Sequence, residues 1–131
     1  LSQADGVHLG QSDISVKDAR VLLGKSKIIG ATAKTVEQAR MAMKDGADYL
    51  GSGAWFPTDT KKDAIPISEE MYRNILKEAS IPNVAVGGIT ADNCDKPLSC
   101  GAHGLAISAG ILKAKDIAAE ILKIRESLEK W

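Results

Sequence analysis

The segment KIIGATAKTVEQARMAMKDG, residues 27–46, contains one complete strand-and-helix unit. A short apolar run starts at Lys27 and leads into a loop of small and polar residues, TAKT. The residues that follow, TVEQ from Thr35, match a capping box. In a capping box the side chains of the first and fourth residues accept hydrogen bonds from backbone N–H groups at the start of a helix. Gly46 is the predicted C-terminal stop of that helix.

The same unit recurs along the chain. Four more strand-like runs are GVHL at residue 6, DYLGS at 48, NVAVG at 83 and HGLAI at 103. Further helices are predicted to open at Ser15, Ser68 and Thr90, and a last one at about Lys115, with an apolar stripe of Ile117, Ile121, Ile124 and Leu128. Five βα units predict parallel strands that are joined by right-handed crossovers and buried on both faces. An open doubly wound sheet and a (β/α)₈ barrel both fit this pattern.

The loops that follow the predicted strands share one composition. GQSD, TAKT, GSGAWFPTDTKK, GGIT and SAGI are rich in Gly, Ser, Thr and Lys, and in either architecture all five open at the carboxyl edge of the sheet. VGGIT, with Gly88, and ISAG, with Ile107 and Ser108, let a ligand approach backbone N–H groups, as in phosphate sites of many barrels. The alternative is that these glycines serve tight packing only.

The long loop from Gly51 to Ala64 has the groups that phosphate oxygens need. Thr58 and Thr60 offer hydroxyl donors, and Lys61 or Lys62 offers a cation. A solvated turn is the alternative, although the adjacent pair at 55–56, Trp-Phe, predicts that the loop folds onto the sheet.

Four other polar residues lie near the predicted strands. Asp13 could help hold Mg²⁺, or it or Ser15 could simply be a helix N-cap. Thr32 adds a hydroxyl at the same edge unless it bonds to local backbone, and Lys34 beside it is either solvated or a source of positive potential. His8, inside a strand, is predicted to be a satisfied core histidine.

The composition argues against nucleic-acid and membrane partners. With 17 basic and 17 acidic side chains the formal net charge is zero, which argues against nucleic-acid binding. No apolar run approaches the roughly 18 residues of a membrane span, and no signal segment opens the sequence. We therefore expect an intracellular, cytoplasmic protein.

Taken in order, the segments ADGVHLGQSD, KIIGATAKT, GADYLGSGAWFPTDTKKDA, VAVGGITADN and GLAISAGI resemble the thiamine-phosphate synthase family. The resemblance implies a TIM barrel and a transferase that condenses hydroxymethylpyrimidine diphosphate with hydroxyethylthiazole phosphate, giving thiamine phosphate and diphosphate with Mg²⁺. It implies that residues 1–131 are the C-terminal portion of that barrel domain, five βα units with strands 4–8, and that the first three units are absent.

Carried onto matching positions, the resemblance makes Asp13 the Mg²⁺ ligand, and Thr32 and Lys61 the catalytic contacts to diphosphate. The implied contacts to the thiazole phosphate are Thr58, Thr60, Gly88, Ile107 and Ser108. The family often has a G-x-S-x-H-T pattern where this sequence has Thr32 and Lys34.

Five units cannot close an eight-stranded barrel, so we expect residues 1–131 alone to be inactive and to need a longer polypeptide, a complementary chain or a homo-oligomer. Alternatives of other classes are a thiazole tautomerase-like or other phosphate-binding isomerase barrel, and a non-catalytic half-barrel that only binds.

Overall fold

The computed structural model describes residues 3–58 and 65–131. Its strands form one parallel sheet in the order β1-β2-β3-β4-β5, which confirms the predicted α/β class and its five βα units. The strands are β1 (Gly6–Leu9), β2 (Ile28–Thr32), β3 (Tyr49–Gly53), β4 (Asn83–Val86) and β5 (Gly104–Ala106). The helices are α1 (Val16–Leu23), α2 (Val36–Lys44), α3 (Glu69–Glu78), α4 (Asp95–Ser99), α5 (Ala109–Leu112) and α6 (Ile117–Leu128). None of the helices within the described ranges is long and apolar enough to cross a bilayer.

Each strand pairs with the next strand in the sequence. A doubly wound sheet reverses its strand order at a switch point, and this sheet has no reversal among its five strands. Because crossovers between parallel strands are right-handed, consecutive connections that all run in one direction put their helices on one face of the sheet. The opposite face is therefore left to side chains of the strands themselves.

The core lies between the sheet and these helices. Three clusters of buried residues fill it: Leu9, Ala19 and Ile29 under α1; Ala31, Ala33, Ala39, Ala42, Ala47, Leu50 and Ile75 under α2 and α3; and Trp55, Tyr72, Ala85, Ile89, Cys94 and Cys100 beyond them. Alternate strand residues point the other way, and there His8 and Ala106 are exposed while Val84 and Val86 are half-buried. The prediction that both faces are buried therefore holds for the central strands β2 and β3, where consecutive residues are buried, and is wrong for the edge strands β1 and β5.

Helix starts follow the predicted caps. The side chains of Ser15, Thr35 and Ser68 each accept a hydrogen bond from a backbone N–H three residues later, at 3.1 to 3.2 Å. The fourth helix starts at Asp95 and not at Thr90, because the Asn93 side chain accepts from the Thr90 N–H and holds a turn there.

The last helix packs less completely than its apolar stripe predicted. It starts at Ile117 after an Asp116 cap, and only Ile124 of the stripe is buried; Ile117, Ile121 and Leu128 are 38 to 45% exposed.

Arg20 ties α1 to the amino-terminal ends of β2 and β3. Its guanidinium donates to the carbonyl oxygens of Gly24, Lys27 and Gly46 at 2.6 to 3.2 Å and to Asp48 Oδ2 at 2.6 Å. The same carboxylate oxygen accepts from the Ile29 N–H at 2.7 Å. That backbone hydrogen bond, together with Arg20, lowers the pKa of Asp48 below its usual value of 3.8.

We predict that Arg20→Ala lowers the free energy of unfolding by about 1–3 kcal/mol, since the carbonyl oxygens of Lys27 and Gly46 lose their donor in part-buried hydrogen bonds. The matched control is Arg40→Ala, which removes an exposed ion pair with Glu78 and should cost under about 1 kcal/mol. Urea unfolding of both variants provides the measurement. Equal losses would show that the Arg20 hydrogen bonds add nothing beyond a surface pair.

Candidate active site at the carboxyl edge of the sheet

A cavity of about 220 Å³ opens where β2, β3, β4 and β5 end. Among the described residues, the carboxyl ends of the four strands and the segments after them line it: Thr32, Lys34, Gly51, Gly53, Ala54, Thr58, Val86, Gly87, Gly88, Ile89, Ala106, Ile107, Ser108, Ala109 and Gly110. The described part of the wall is mostly apolar, and its polar side chains are those of Thr32, Lys34, Thr58 and Ser108. A cavity of this composition suits a small, largely apolar molecule that ends in an anionic group.

The loop after β3 folds down onto the loop after β4, as the Trp-Phe pair predicted. The Trp55 and Phe56 N–H groups donate to the Val86 and Gly87 carbonyl oxygens, both at 3.1 Å. The Trp55 side chain is buried, with its ring packed edge-on against Tyr72 at 4.8 Å between centroids. These contacts hold Thr58, five residues beyond the strand, at the cavity wall.

The two glycines after β4 are required by their surroundings. Gly87 and Gly88 have φ of +97° and +67°, a region that favours glycine. A Cβ at Gly88 would also lie 2.6 Å from the Phe56 carbonyl oxygen and 2.8 Å from that of Pro57. Gly88 therefore both packs against the β3 loop, as the packing alternative expected, and lines the cavity.

Ser108 and Gly110 line the cavity after β5. The Ser108 hydroxyl makes no capping hydrogen bond to α5, although α5 starts directly after it, and Ser108 lines the cavity. A Cβ at Gly110 would overlap the Ile89 carbonyl oxygen, so the loops after β4 and β5 are in close contact. Ser108 and the Gly87-Gly88 pair thus lie on two adjoining loops that line one cavity.

A histidine on β1, next to the cavity residue Thr32, contacts side chains on β2 and β3. His8 Nε2 lies 3.0 Å from Thr32 Oγ1, and His8 Nδ1 lies 3.0 Å from the Tyr49 hydroxyl. The predicted satisfied core histidine is thus confirmed in its hydrogen bonds, but its burial was wrong, because His8 is exposed on the face opposite the helices. Sequence inspection did not single out Tyr49, because only strand pairing reveals which alternate positions share a face.

Asp13 lies in the loop after β1, at the same edge of the sheet, but it does not line the cavity. Its Oδ2 accepts from the Gly10 N–H at 2.6 Å, whereas Ser15 is the N-cap of α1. The neighbouring Gln11 side chain donates to the Thr32 carbonyl oxygen at 2.5 Å, which attaches this loop to the end of β2. Within residues 3–58 and 65–131, no group of three or more His, Cys, Asp or Glu side chains could hold a metal ion.

The structure therefore brings together Thr32, Thr58, Gly88, Ile107 and Ser108 around one cavity, which Lys34 also lines. Thr60 and Lys61 lie outside the described residues.

Comparison with known proteins places this architecture. The family model described as thiamine monophosphate synthase matches residues 1–111. The thiamine-phosphate synthase of Clostridioides difficile is 47% identical over 131 residues, which cover 100% of this chain and 59% of that protein. The thiamine-phosphate synthase of Methanobrevibacter smithii is 44% identical over 121 residues, covering 91% of this chain and 58% of that protein.

Among solved structures, thiamine phosphate pyrophosphorylase from Pyrococcus furiosus superposes with a TM-score of 0.87 and 38% identity, over 97% of this chain and 60% of that one. The chain thus spans about three fifths of the length of the relatives it matches. With the family model covering most of its residues and relatives this similar, the chain belongs to the thiamine monophosphate synthase family.

Proposed function

We propose that this chain contributes the substrate-binding edge of an enzyme that joins hydroxymethylpyrimidine diphosphate to hydroxyethylthiazole phosphate, giving thiamine phosphate and diphosphate. One observation supports this above the others: Thr32, Thr58, Gly88, Ile107 and Ser108 line a single cavity in a member of this family. The two relatives at 44 and 47% identity are named thiamine-phosphate synthase, after this activity.

The proposed reaction exchanges one bond for another. The C–O bond between the pyrimidine methylene and the diphosphate breaks, and the diphosphate leaves with the electron pair. The electron-rich aminopyrimidine stabilises the methylene cation until the thiazole nitrogen donates its lone pair and forms the C–N bond. Stabilising the departing anion is thus the main task of the protein.

Two groups of residues would divide the anions between them. The thiazole phosphate would be held by Ser108, Gly88 and Ile107 together with Thr58. The reason is that a hydroxyl donor and two adjoining loops line the cavity there. Thr60 completes this set as a proposal from the sequence. Thr32 and Lys61 would contact the diphosphate, and Lys34, at the cavity wall beside Thr32, adds positive potential there.

Magnesium fits the donor set in part. Asp13 has one carboxylate oxygen on the Gly10 N–H, which leaves the other for a cation, and Mg²⁺ typically uses only one or two carboxylates with substrate oxygens and waters. Bound there, Mg²⁺ would neutralise charge on the departing diphosphate. Further ligands would come from the substrate and from a second protein carboxylate.

We further propose that the sheet is five consecutive strands of a (β/α)₈ barrel, strands 4–8. Consecutive order, helices on one face and two unpaired edges support this, as do exposed Val7 and Ile28 at the β1 side. On this proposal residues 1–131 alone bind substrate but do not turn it over, and a further chain segment or subunit completes the site.

We expect a fusion of this chain to the portion of the Clostridioides difficile relative that it does not cover to form thiamine phosphate from both substrates with Mg²⁺. Residues 1–131 alone should bind hydroxyethylthiazole phosphate in a calorimetric titration without forming product. Binding without turnover by the fusion would favour the non-catalytic alternative. Isomerisation of a thiazole phosphate without Mg²⁺ would favour the tautomerase-like one.

Ser108→Ala should weaken binding of hydroxyethylthiazole phosphate about 10- to 100-fold, because a hydrogen bond to a charged group is lost. Calorimetry on residues 1–131 gives the affinity. Ser99→Ala is the control: this exposed serine on α4 donates to the Lys96 carbonyl oxygen, away from the cavity. An unchanged affinity in Ser108→Ala would remove Ser108 from the phosphate site.

Asp13→Asn should raise the Mg²⁺ concentration for half-maximal activity of the fusion at least about tenfold. Losing a metal ligand should weaken metal binding at least as much as losing a residue that hydrogen-bonds to a ligand. The substitution keeps an oxygen for the Gly10 N–H, so the loop should remain folded. Asp92→Asn, at an exposed carboxylate in another loop, serves as the control. If both variants respond to Mg²⁺ like the parent fusion, Asp13 is not a ligand.

A further inference from the structure

Three polar side chains lie side by side on the sheet face opposite the helices. His8 on β1 and Tyr49 on β3 flank Gly30 on β2, since both residues pair with Gly30 in the strand register. Thr32 lies two residues further along β2, towards the cavity. The imidazole bridges the other two, with 3.0 Å from Nδ1 to the Tyr49 hydroxyl and 3.0 Å from Nε2 to Thr32 Oγ1.

Glycines make room for this arrangement. A Cβ at Gly30 would overlap the Tyr49 ring and lie 2.5 Å from His8 Nδ1, and a Cβ at Gly51 would lie 2.8 Å from His8 Cε1. Both rings therefore lie directly over backbone, with their centroids 5.4 Å apart. Because the glycines, the rings and the two hydrogen bonds constrain one another, the imidazole has little freedom to turn away from Thr32.

A neutral imidazole has one N–H, so its two hydrogen bonds must have opposite directions. In one arrangement Thr32 donates to Nε2 and Nδ1–H donates to Tyr49. In the other, Tyr49 donates to Nδ1 and Nε2–H donates to Thr32. A phenol, with a pKa near 10, is a far more acidic donor than an alcohol, which favours the second arrangement.

The second arrangement has a consequence for the cavity. With its hydroxyl oxygen accepting from Nε2–H, Thr32 retains its own O–H hydrogen for another acceptor. The Thr32 carbonyl oxygen is already held by the Gln11 side chain at 2.5 Å, and the Ala33 N–H donates to the Gly51 carbonyl oxygen at 3.0 Å, so the backbone around this hydroxyl is fixed. Thr32 lines the cavity, and an anion oxygen there would accept the hydrogen.

We propose that His8 is a positioning residue: it takes its tautomer from Tyr49 and orients the Thr32 hydroxyl as a donor to the diphosphate. The inference rests on the proposed function, because Thr32 must face that anion. His8 acts through Thr32.

The tautomer can be measured directly, because the chain has only two histidines. His103 is an internal reference: its Nδ1 accepts from the Asn83 N–H at 3.1 Å, so it must be the Nε2–H tautomer when neutral. In ¹⁵N-labelled protein at about pH 8, where an ordinary histidine is neutral, long-range ¹H–¹⁵N spectra should show Nε2–H for both rings. Tyr49→Phe should move His8 towards a mixture of tautomers and leave His103 unchanged. An Nδ1–H tautomer for His8 in the unsubstituted protein would overturn the proposal.

Calorimetry with inorganic diphosphate tests the consequence for binding. Thr32→Val and His8→Phe should each weaken binding about tenfold or more, and the double variant should be no weaker than either single one, since both remove the same hydrogen bond. His8→Phe keeps a ring over Gly30 and Gly51, and His8→Gln, which restores an N–H donor, should recover part of the loss. Binding of hydroxyethylthiazole phosphate should not change in any of them, which also shows that the variants fold.

The outcomes separate the two proposals. If Thr32→Val leaves diphosphate binding intact, or diphosphate does not bind at all, the diphosphate site of the proposed function fails and the positioning role fails with it. If Thr32→Val weakens binding but His8→Phe does not, the diphosphate site stands and the role of His8 is refuted.

Discussion

Consecutive parallel pairing of the five strands is the constraint on which everything else in this molecule depends. Right-handed crossovers that all step in one direction send every helix to one face and every βα loop to the carboxyl edge. The helix face is filled with small and branched apolar side chains such as Ala31, Leu50 and Ile75. The opposite face is left to side chains of the strands themselves, and His8 and Tyr49 lie there over glycines.

The cavity owes its shape to contacts between neighbouring loops. The loop after β3 is bonded through Trp55 and Phe56 to the loop after β4, and the latter is in close contact with the start of α5 through Gly110. Each loop thus limits the position of the next, so hydroxyls on different strands lie around one space. Under the proposed function, donors positioned in this way would need no reorganisation on binding an anion, the condition under which electrostatic stabilisation is most effective.

Much of this arrangement was predictable from short stretches of sequence. Ser15, Thr35 and Ser68 were identified as caps because a cap depends on residues within one turn of a helix. Gly88 and Ser108 were identified because a strand end followed by small residues is itself a local pattern. The late start of α4 was not predicted, because the Asn93 side chain accepts from the Thr90 N–H and forms a turn there. The exposure of most of the α6 stripe was not predicted either, because the burial of α6 depends on what packs against it.

Local sequence is enough to specify the strands, the caps and the identity of the loops at the carboxyl edge, because each of these depends on neighbours within a few residues. Only the tertiary structure decides which face of each strand packs against the helices, and therefore whether His8 is buried or exposed. That residue meets Thr32 and Tyr49 across 24 and 41 positions of the chain, through strand register. Hydrogen bonds between side chains on separate strands depend on distances that no single stretch of sequence contains.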